Sequence, residues 1–312
     1  MGKRLSIVVS VYNEEEVLEQ FYQETRAVLE RLPWDYELLF VNDGSWDRSP
    51  EILKGLAGRD PHVKLISFSR NFGHEAAMIA GLDHSGGDGI VCMDADLQHP
   101  PACLPQITEK FDQGYEVVSM VRTKNESAGW FKNLCSVGFY KVINVMSDVR
   151  FESNASDFFG VSSRVAQVLK KNYRERVRFL RGYVQNVGFS KTTIQYEAGA
   201  RAAGESKYSL RKLFRFSVNT IVCFSNLPLK LGIYAGVLAA CIGMVVMIYT
   251  LLTRNGAPSG YATIVVLICF MFAILFVIVG IIGEYIAILF TELKDRPIYI
   301  VEETQNLDQT VE

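Results

Sequence analysis

Over the first 120 or so residues, short apolar runs alternate with segments whose apolar residues recur at helical spacing. The first run, Leu5–Tyr12, is rich in Val and Ile, which is typical of a strand buried on both faces of a parallel sheet. Four further strands are predicted at Tyr36–Val41, Val63–Phe68, Gly89–Met93 and Glu116–Val121, with helices at about 49–58, 74–84 and 101–113. This alternation predicts an α/β domain with right-handed crossovers and a doubly wound sheet.

Two long uncharged runs mark the C-terminal third of the chain. Ile233–Thr253 has 21 residues and Ala262–Gly283 has 22. At about 1.5 Å per residue, each is long enough as a helix to cross the ~30 Å hydrocarbon core of a bilayer. The pattern therefore predicts a membrane protein with two transmembrane helices, at about 232–253 and 262–286.

The segment between the two parts carries apolar residues on one helical face, with Arg211, Lys212 and Arg215 elsewhere. This composition predicts an amphipathic helix in the membrane interface, although a helix packed on the domain would look similar. The turn between the spans has one positive charge, Arg254, and more positive charges flank the pair, so both termini are expected in the cytoplasm. The predicted organisation is a domain at 1–208, a juxtamembrane helix at 209–230, a hairpin at 231–290 and a cytoplasmic tail at 291–312.

Charge and cysteine content narrow the functional classes. The formal net charge of -2 argues against nucleic-acid binding, which requires a basic surface. The six cysteines show no metal-finger spacing, and reduced, buried cysteines in a cytoplasmic setting are expected.

Polar residues follow each of the five predicted strands. In open α/β sheets the ligand lies outside the carboxyl ends of the strands. The residues expected there are Tyr12, Asn13, Glu14, Asn42, Asp43, Arg70, Asn71, Gly73, Asp94, Asp96 and Arg122. Loops are usually polar, so a single polar residue is weak evidence for a ligand site. The concentration of carboxylates beside arginines is stronger evidence.

The sharpest local signal is Asp94-Ala95-Asp96-Leu97-Gln98, directly after a predicted strand. If this segment is extended, Asp94, Asp96 and Gln98 point the same way and offer three oxygen ligands. Mg²⁺ and Mn²⁺ favour such ligands and bind through one or two carboxylates plus substrate phosphates. His99 is expected to be structural or solvent-facing, with a metal ligand as the alternative, and His74 is expected to be a surface residue.

Five motifs lie between residues 6 and 208. They are Ser6-Ile7-Val8-Val9-Ser10-Val11-Tyr12-Asn13-Glu14-Glu15, Val41-Asn42-Asp43-Gly44-Ser45, Arg70-Asn71-Phe72-Gly73, Asp94-Ala95-Asp96-Leu97-Gln98-His99-Pro100-Pro101 and Arg201-Ala202-Ala203-Gly204-Glu205-Ser206-Lys207-Tyr208. Together they resemble the polyprenyl-phosphate glycosyltransferases. These belong to the inverting glycosyltransferase family 2, which includes dolichol-phosphate mannose synthases and bactoprenol glucosyltransferases. The resemblance implies a GT-A Rossmann-like sheet followed by juxtamembrane helices and a two-helix transmembrane hairpin.

The resemblance also implies roles for individual residues on the donor side. Tyr12, Glu14 and Asp43 would hold the nucleoside, with Asp43 near the base, and Gly73 would belong to the same donor-binding set. Arg201 and Lys207 would close over the diphosphate. Asp94 would lie by the ribose and the metal, and Asp96 and Gln98 would ligate the Mg²⁺ or Mn²⁺ that bridges the diphosphate.

On the acceptor side, the resemblance assigns Arg122 to the lipid phosphate, together with Lys132, where relatives often have Arg. Asp157 falls at an acidic position of the family that belongs to an Asp-Phe-Arg segment. Here the segment reads Ser156-Asp157-Phe158-Phe159, so the arginine is missing. The implied catalytic set is Asp94, Asp96, Asp157 and Arg122.

The implied activity is transfer of a sugar, with glucose from UDP-glucose favoured, to undecaprenyl or related polyprenyl phosphate at the bacterial inner membrane. A GDP-mannose-dependent enzyme is the alternative within the same class. A nucleotide-sugar-binding subunit of a lipid-sugar flippase is the alternative from another class, and it would require oligomerisation, because two nearly apolar spans cannot enclose a polar path. A homo-oligomer and a flippase partner are compatible with the pattern, and nucleic acid is not an expected partner.

Overall fold

The computed structural model describes residues 2–123, 155–176, 178–199, 227–252 and 260–307. These residues separate into two compact units. One is an α/β domain that includes residues 297–307 from the end of the chain, and the other is helical and lies within 227–296.

Eight strands of the α/β domain form one sheet. They are β1 (Arg4–Val11), β2 (Asp35–Asn42), β3 (Val63–Phe68), β4 (Gly89–Asp94), β5 (Val117–Arg122), β6 (Ala155–Ser162), β7 (Lys191–Tyr196) and β8 (Val301–Gln305). The helices are α1 (Leu18–Leu29), α2 (Ser49–Arg59), α3 (His74–His84), α4 (Leu104–Asp112), α5 (Ser163–Asn172) and α6 (Leu180–Asn186), with a 3₁₀ turn at Pro101–Cys103.

The strand order is β7-β5-β6-β4-β1-β2-β3-β8. Strand β1 pairs in parallel with β2 and β4, and β2 pairs in parallel with β3. Strand β6 runs antiparallel between β4 and β5, and β8 runs antiparallel along β3. The predicted α/β class and GT-A-like fold are confirmed, with the correction that the sheet is mixed.

The centre of the sheet is buried on both faces, as its continuous apolar runs predict. Ile7, Val8 and Val9 in β1 are all fully buried. Helix α3 lies close against this strand, because a Cβ atom at Gly81 would be only 2.0 Å from a methyl group of Val8. This close contact fixes α3, whose N-terminal residues enter the candidate site.

The last strand was not predicted. Residues 291–312 were assigned to a cytoplasmic tail, but Val301–Gln305 extends the edge of the sheet in antiparallel register with β3. The Asn306 side chain then donates hydrogen bonds to the backbone carbonyls of Ala57 (2.6 Å) and Val63 (2.9 Å). Residues 297–307 are therefore part of the α/β domain.

The helical unit contains α7 (Leu227–Leu252) and α8 (Tyr261–Leu293), which pack against each other. Within the described residues, one segment has the length and composition of a membrane span: Phe270–Leu293, with a mean hydropathy of 2.6. Gly232–Val245 is a shorter apolar stretch. The two-span hairpin therefore stays a prediction. Of the predicted juxtamembrane helix at 209–230, residues 209–226 lie outside the described residues and 227–230 begin α7.

Candidate active site

Three strands deliver the predicted donor residues to one edge of the sheet. Val11 of β1 is in register with Asn42 of β2, and Ser10 is in register with Asp94 of β4. The residues that follow these positions therefore emerge side by side. This is the edge at which open α/β sheets bind ligands.

Asp43 lies directly after β2 and is 2% exposed. Its carboxylate accepts hydrogen bonds from the backbone N–H groups of Phe72 (2.6 Å) and Gly73 (2.9 Å). Burial raises the pKa of Asp43, and these N–H donors oppose the rise. Gly73 has a φ of 100°, in the region that favours glycine, so its part here is to shape the turn that starts α3.

The loops after β1 and β2 are tied together by short polar contacts. Asn13 adopts a φ of 56°, and its N–H donates to Ser45 Oγ at 3.0 Å. The N–H of Glu14 donates to Ser49 Oγ at 2.9 Å. These bonds fix the backbone that carries Tyr12 and Glu14, both of which are partly exposed at this edge.

Residues 94–98 form a turn, termed the acidic turn, and not the extended segment that was expected. Strand β4 ends at Asp94, and Leu97 has a φ of 61°. The Asp96 carboxylate accepts a hydrogen bond from the N–H of Gln98 at 3.0 Å. Asp96 and Gln98 are therefore brought together by a side-chain-capped turn, and not by the alternation of side chains along a strand.

Two histidines flank the Asp94 carboxylate. His74 Nδ1 lies 3.6 Å from one oxygen and His99 Nδ1 lies 3.6 Å from the other. His74 also shares a 2.8 Å hydrogen bond with Ser10 Oγ, so the expectation of a surface role for His74 is wrong. Burial opposes protonation of His74, but the carboxylates of Asp94 and Asp157 outweigh this effect and raise its pKa.

His99 is a structural support of the acidic turn. It is 1% exposed, and its Nδ1 accepts a hydrogen bond from the N–H of Asp94 at 2.9 Å. Because a backbone N–H can only donate, Nδ1 carries no proton, and burial lowers the pKa of the ring. The ring stacks on Phe158 at 5.1 Å. The structure thus supports the predicted structural role and excludes the solvent-facing one.

His99→Phe is expected to destabilise the domain, since it keeps an aromatic ring but leaves the Asp94 N–H without its acceptor. Loss of a buried hydrogen-bond partner costs about 1–3 kcal/mol of unfolding free energy. The measurement is the Tm of the purified protein in detergent. His62→Phe is the matched control, because this half-exposed ring stacks on Tyr36 at 4.6 Å, and the Asp60 carboxylate that its Nδ1 contacts keeps the His62 N–H and the Tyr22 hydroxyl as donors. Equal Tm values for the two variants would contradict the role given to His99.

Asp157 enters the same edge because β6 is antiparallel to β4 and begins where β4 ends. Its Oδ1 lies 3.6 Å from Nε of Arg181, a residue of α6 that the sequence analysis missed. Burial opposes ionisation, but Arg181 and further cations hold the pKa of Asp157 below its usual range. Asp157 thus has an arginine partner from another element, which no local pattern signals.

Arg122 ends β5, and its Nε donates to the hydroxyl of Tyr196 at 3.0 Å. The Tyr196 ring in turn meets His99 edge-to-face at 6.2 Å. Arg122 is therefore linked to the acidic turn through two aromatic residues. Lys132, Arg201 and Lys207 lie outside the described residues, so their predicted roles stay predictions.

The residues present fit a divalent metal bound together with substrate. In the parts of the chain that the structure describes, no three His, Cys, Asp or Glu side chains are grouped to hold an ion by themselves. Asp94 and Asp96 nevertheless offer two partly exposed carboxylates at the edge of the sheet where ligands are expected to bind. Mg²⁺ sites that use one or two carboxylates are completed by substrate phosphates and water.

Two family models match the chain. Glycosyl transferase family 2 matches residues 6–169, which include the acidic turn and Asp157. A second model, described as the GtrB C-terminal hairpin, matches residues 227–289, where α7 and most of α8 lie.

Similar proteins match over almost their full lengths. An uncharacterised glycosyltransferase of Bacillus subtilis, YkcC, is 42% identical and covers 97% of this chain and 94% of its own. A prophage-derived bactoprenol glucosyl transferase of Shigella flexneri is 36% identical, with coverage of 96% and 98%. Among solved structures, glucosyl-3-phosphoglycerate synthase of Mycobacterium tuberculosis has a TM-score of 0.49 at 18% identity, covering 71% of this chain and 78% of that one. That structural likeness is too distant to inform the chemistry.

Proposed function

Because this chain belongs to glycosyl transferase family 2 and is a glycosyltransferase, we propose that it transfers glucose from UDP-glucose to undecaprenyl phosphate or a related polyprenyl phosphate. The assignment of the acceptor rests on how much of this chain is similar to a named relative. The match to a relative named bactoprenol glucosyl transferase covers 96% of this chain, so it includes apolar helices as well as the sheet. An enzyme with such helices has access to an acceptor that is confined to the bilayer.

The acceptor chemistry suits the arginines near Asp157. A lipid phosphate is anionic at neutral pH, so it attacks without a strong general base and needs mainly positioning and charge neutralisation. Arginine supplies both through bidentate contacts. In this proposal Arg122 contacts the acceptor phosphate, and Asp157 orients Arg181 instead of accepting a proton.

The donor would lie along the edge formed by Tyr12, Asp43 and Asp94. Asp94, Asp96 and Gln98 would hold a Mg²⁺ or Mn²⁺ ion, and such an ion supplies charge neutralisation for the departing diphosphate. Arg201 and Lys207 would add positive charge on the same side. A single in-line displacement then inverts the anomeric carbon and gives a β-linked lipid product from an α-linked donor.

The sheet topology supports a hairpin that enters and leaves the bilayer on one side. Strand β7 precedes the helical unit and β8 follows it, and both belong to the same sheet. A chain that leaves a domain and returns to it crosses a bilayer an even number of times. Two crossings, by α7 and α8, meet this condition, and the distribution of positive charge favours both termini in the cytoplasm of a bacterial cell.

A donor panel tests the proposed function. Purified protein with Mg²⁺ or Mn²⁺ is incubated with undecaprenyl phosphate and each of several nucleotide sugars, and the lipid product is identified by mass spectrometry. We expect glucosyl lipid from UDP-glucose. Transfer from GDP-mannose alone would show that the sugar is mannose and not glucose. The absence of any glycolipid would contradict the assignment of undecaprenyl phosphate as the acceptor.

Substitutions of Arg122 and of Arg201 are expected to affect different substrates. Arg122→Ala is expected to raise the apparent KM for the lipid phosphate about tenfold or more, since it removes a charge-assisted contact. Arg201→Ala is expected to affect donor use or kcat. Steady-state kinetics with each substrate varied in turn distinguish the two, with Arg164→Ala as a control at an exposed arginine outside the site. Identical effects on both substrates would argue against this division.

A further inference from the structure

The segment Pro297–Asn306, termed the C-terminal strap, runs along the outer edge of β3. Strand β8 within it pairs with β3, and the carbonyl of Ile300 accepts a hydrogen bond from the N–H of Ser69 at 3.1 Å. The strap thus continues past the end of β3, which is Phe68, to the first residue of the loop that follows. That loop, Ser69–Gly73, is termed the donor loop, because it supplies the N–H groups bound to Asp43.

Tyr299 of the strap is held by a stacked ring and by a hydrogen bond. Its ring stacks on Phe68 with centroids 5.1 Å apart and planes 13° from parallel. Its hydroxyl donates to Asp83 Oδ2 at 2.8 Å, and Asp83 also accepts from Arg174 Nη1 at 2.8 Å. Burial, ahead of the nearby carboxylate, raises the pKa of Tyr299, so its hydroxyl remains a donor at neutral pH.

A continuous series of contacts leads from Tyr299 to Asp43. Phe68 lies under Tyr299 on one side and meets Phe72 edge-to-face at 5.7 Å. Phe72 then donates its N–H to Asp43 at 2.6 Å. The donor loop also packs tightly on the turn after β2, since a Cβ atom at Gly44 would lie 2.4 Å from the backbone of Arg70.

We propose that Tyr299 is a positioning residue for the donor site, acting through Phe68 and Phe72 to hold the donor loop on Asp43. The proposal rests on the proposed function, because it takes Asp43 as the residue beside the base. An irregular loop must lose conformational entropy when it is ordered for binding. The strap orders it beforehand, so the donor binds without that loss.

The test compares variants of the full-length protein. Tyr299→Ala is expected to raise the KM for UDP-glucose on the order of tenfold, given the usual strength of a stacked aromatic pair. The KM for lipid phosphate should not change. Hydrogen–deuterium exchange at the Phe72 and Gly73 amides should become faster in the absence of any substrate. Glu303→Gln is the matched control within the strap, because it alters only a surface pair with Lys54 and should leave both readouts unchanged.

The exchange readout separates failure of this inference from failure of the proposed function. If the wild-type protein does not use UDP-glucose, faster exchange at Phe72 and Gly73 in Tyr299→Ala still supports the strap contact. Wild-type exchange and wild-type donor KM in that variant would overturn it. If Tyr299→Ala unfolds at the assay temperature, Tyr299→Leu decides: a raised donor KM supports the proposal, and an unchanged one overturns it.

Discussion

Asp96→Asn is expected to lower turnover by about 10²–10³-fold, which is the usual effect of removing one charge-stabilising group from such a site. The substitution is chosen because Asp96 also accepts the N–H of Gln98, and asparagine keeps that acceptor while losing the charge. The turn should therefore remain folded. Asp94→Ala should be nearly as severe, and EDTA should remove the activity of the wild-type enzyme until Mg²⁺ or Mn²⁺ is restored.

Asp88→Asn is the matched control for this prediction. Asp88 likewise accepts a backbone N–H, that of Arg4 at 2.9 Å, but it precedes β4 and lies at the opposite end of that strand from Asp94. Its replacement should leave kcat unchanged. Turnover at the wild-type rate by Asp96→Asn, or full activity in excess chelator, would disprove the metal-binding role of the acidic turn.

The first five strands were predictable because each is mostly apolar, with at most two polar residues in its predicted range. The strands that were missed lack this pattern for physical reasons. In β7, Ile194 and Tyr196 are buried but their neighbours are not, and β8 lies at the edge of the sheet with no buried residue. Such strands are stabilised by pairing with a neighbour, and this information is not local in sequence.

The candidate site likewise contains residues that the sequence predicts and contacts that it does not. The rule that ligands bind at the carboxyl ends of strands correctly brought Asp43 and Asp94 to one edge. It could not identify His74 as a partner of Asp94, because that contact depends on how α3 packs against β1. Arg181 was missed for a similar reason, since it lies 24 positions after Asp157 in an element that no pattern predicted.

The C-terminal strand changes how the role of the apolar helices should be tested. A chain that stops after residue 226 would lose not only α7 and α8 but also β8 and Tyr299. A loss of activity in this variant would then have two possible causes, the loss of anchoring and damage to the donor site. A better variant replaces residues 227–293 with a long Gly/Ser linker and keeps the strap.

This linker variant is expected to retain its affinity for UDP-glucose with metal, while transfer to undecaprenyl phosphate in vesicles falls on the order of 10²-fold or more. Anchoring confines the enzyme and its lipid acceptor to one surface, and effects of this size are usual when a second encounter becomes effectively intramolecular. A short, water-soluble prenyl phosphate should be used almost as well as by the full chain, because it does not depend on that confinement. The chain that stops after residue 226 should additionally show a raised donor KM. If the linker variant glucosylated the long lipid in vesicles as fast as the full chain, the helices would have to serve another purpose, such as assembly of an oligomer.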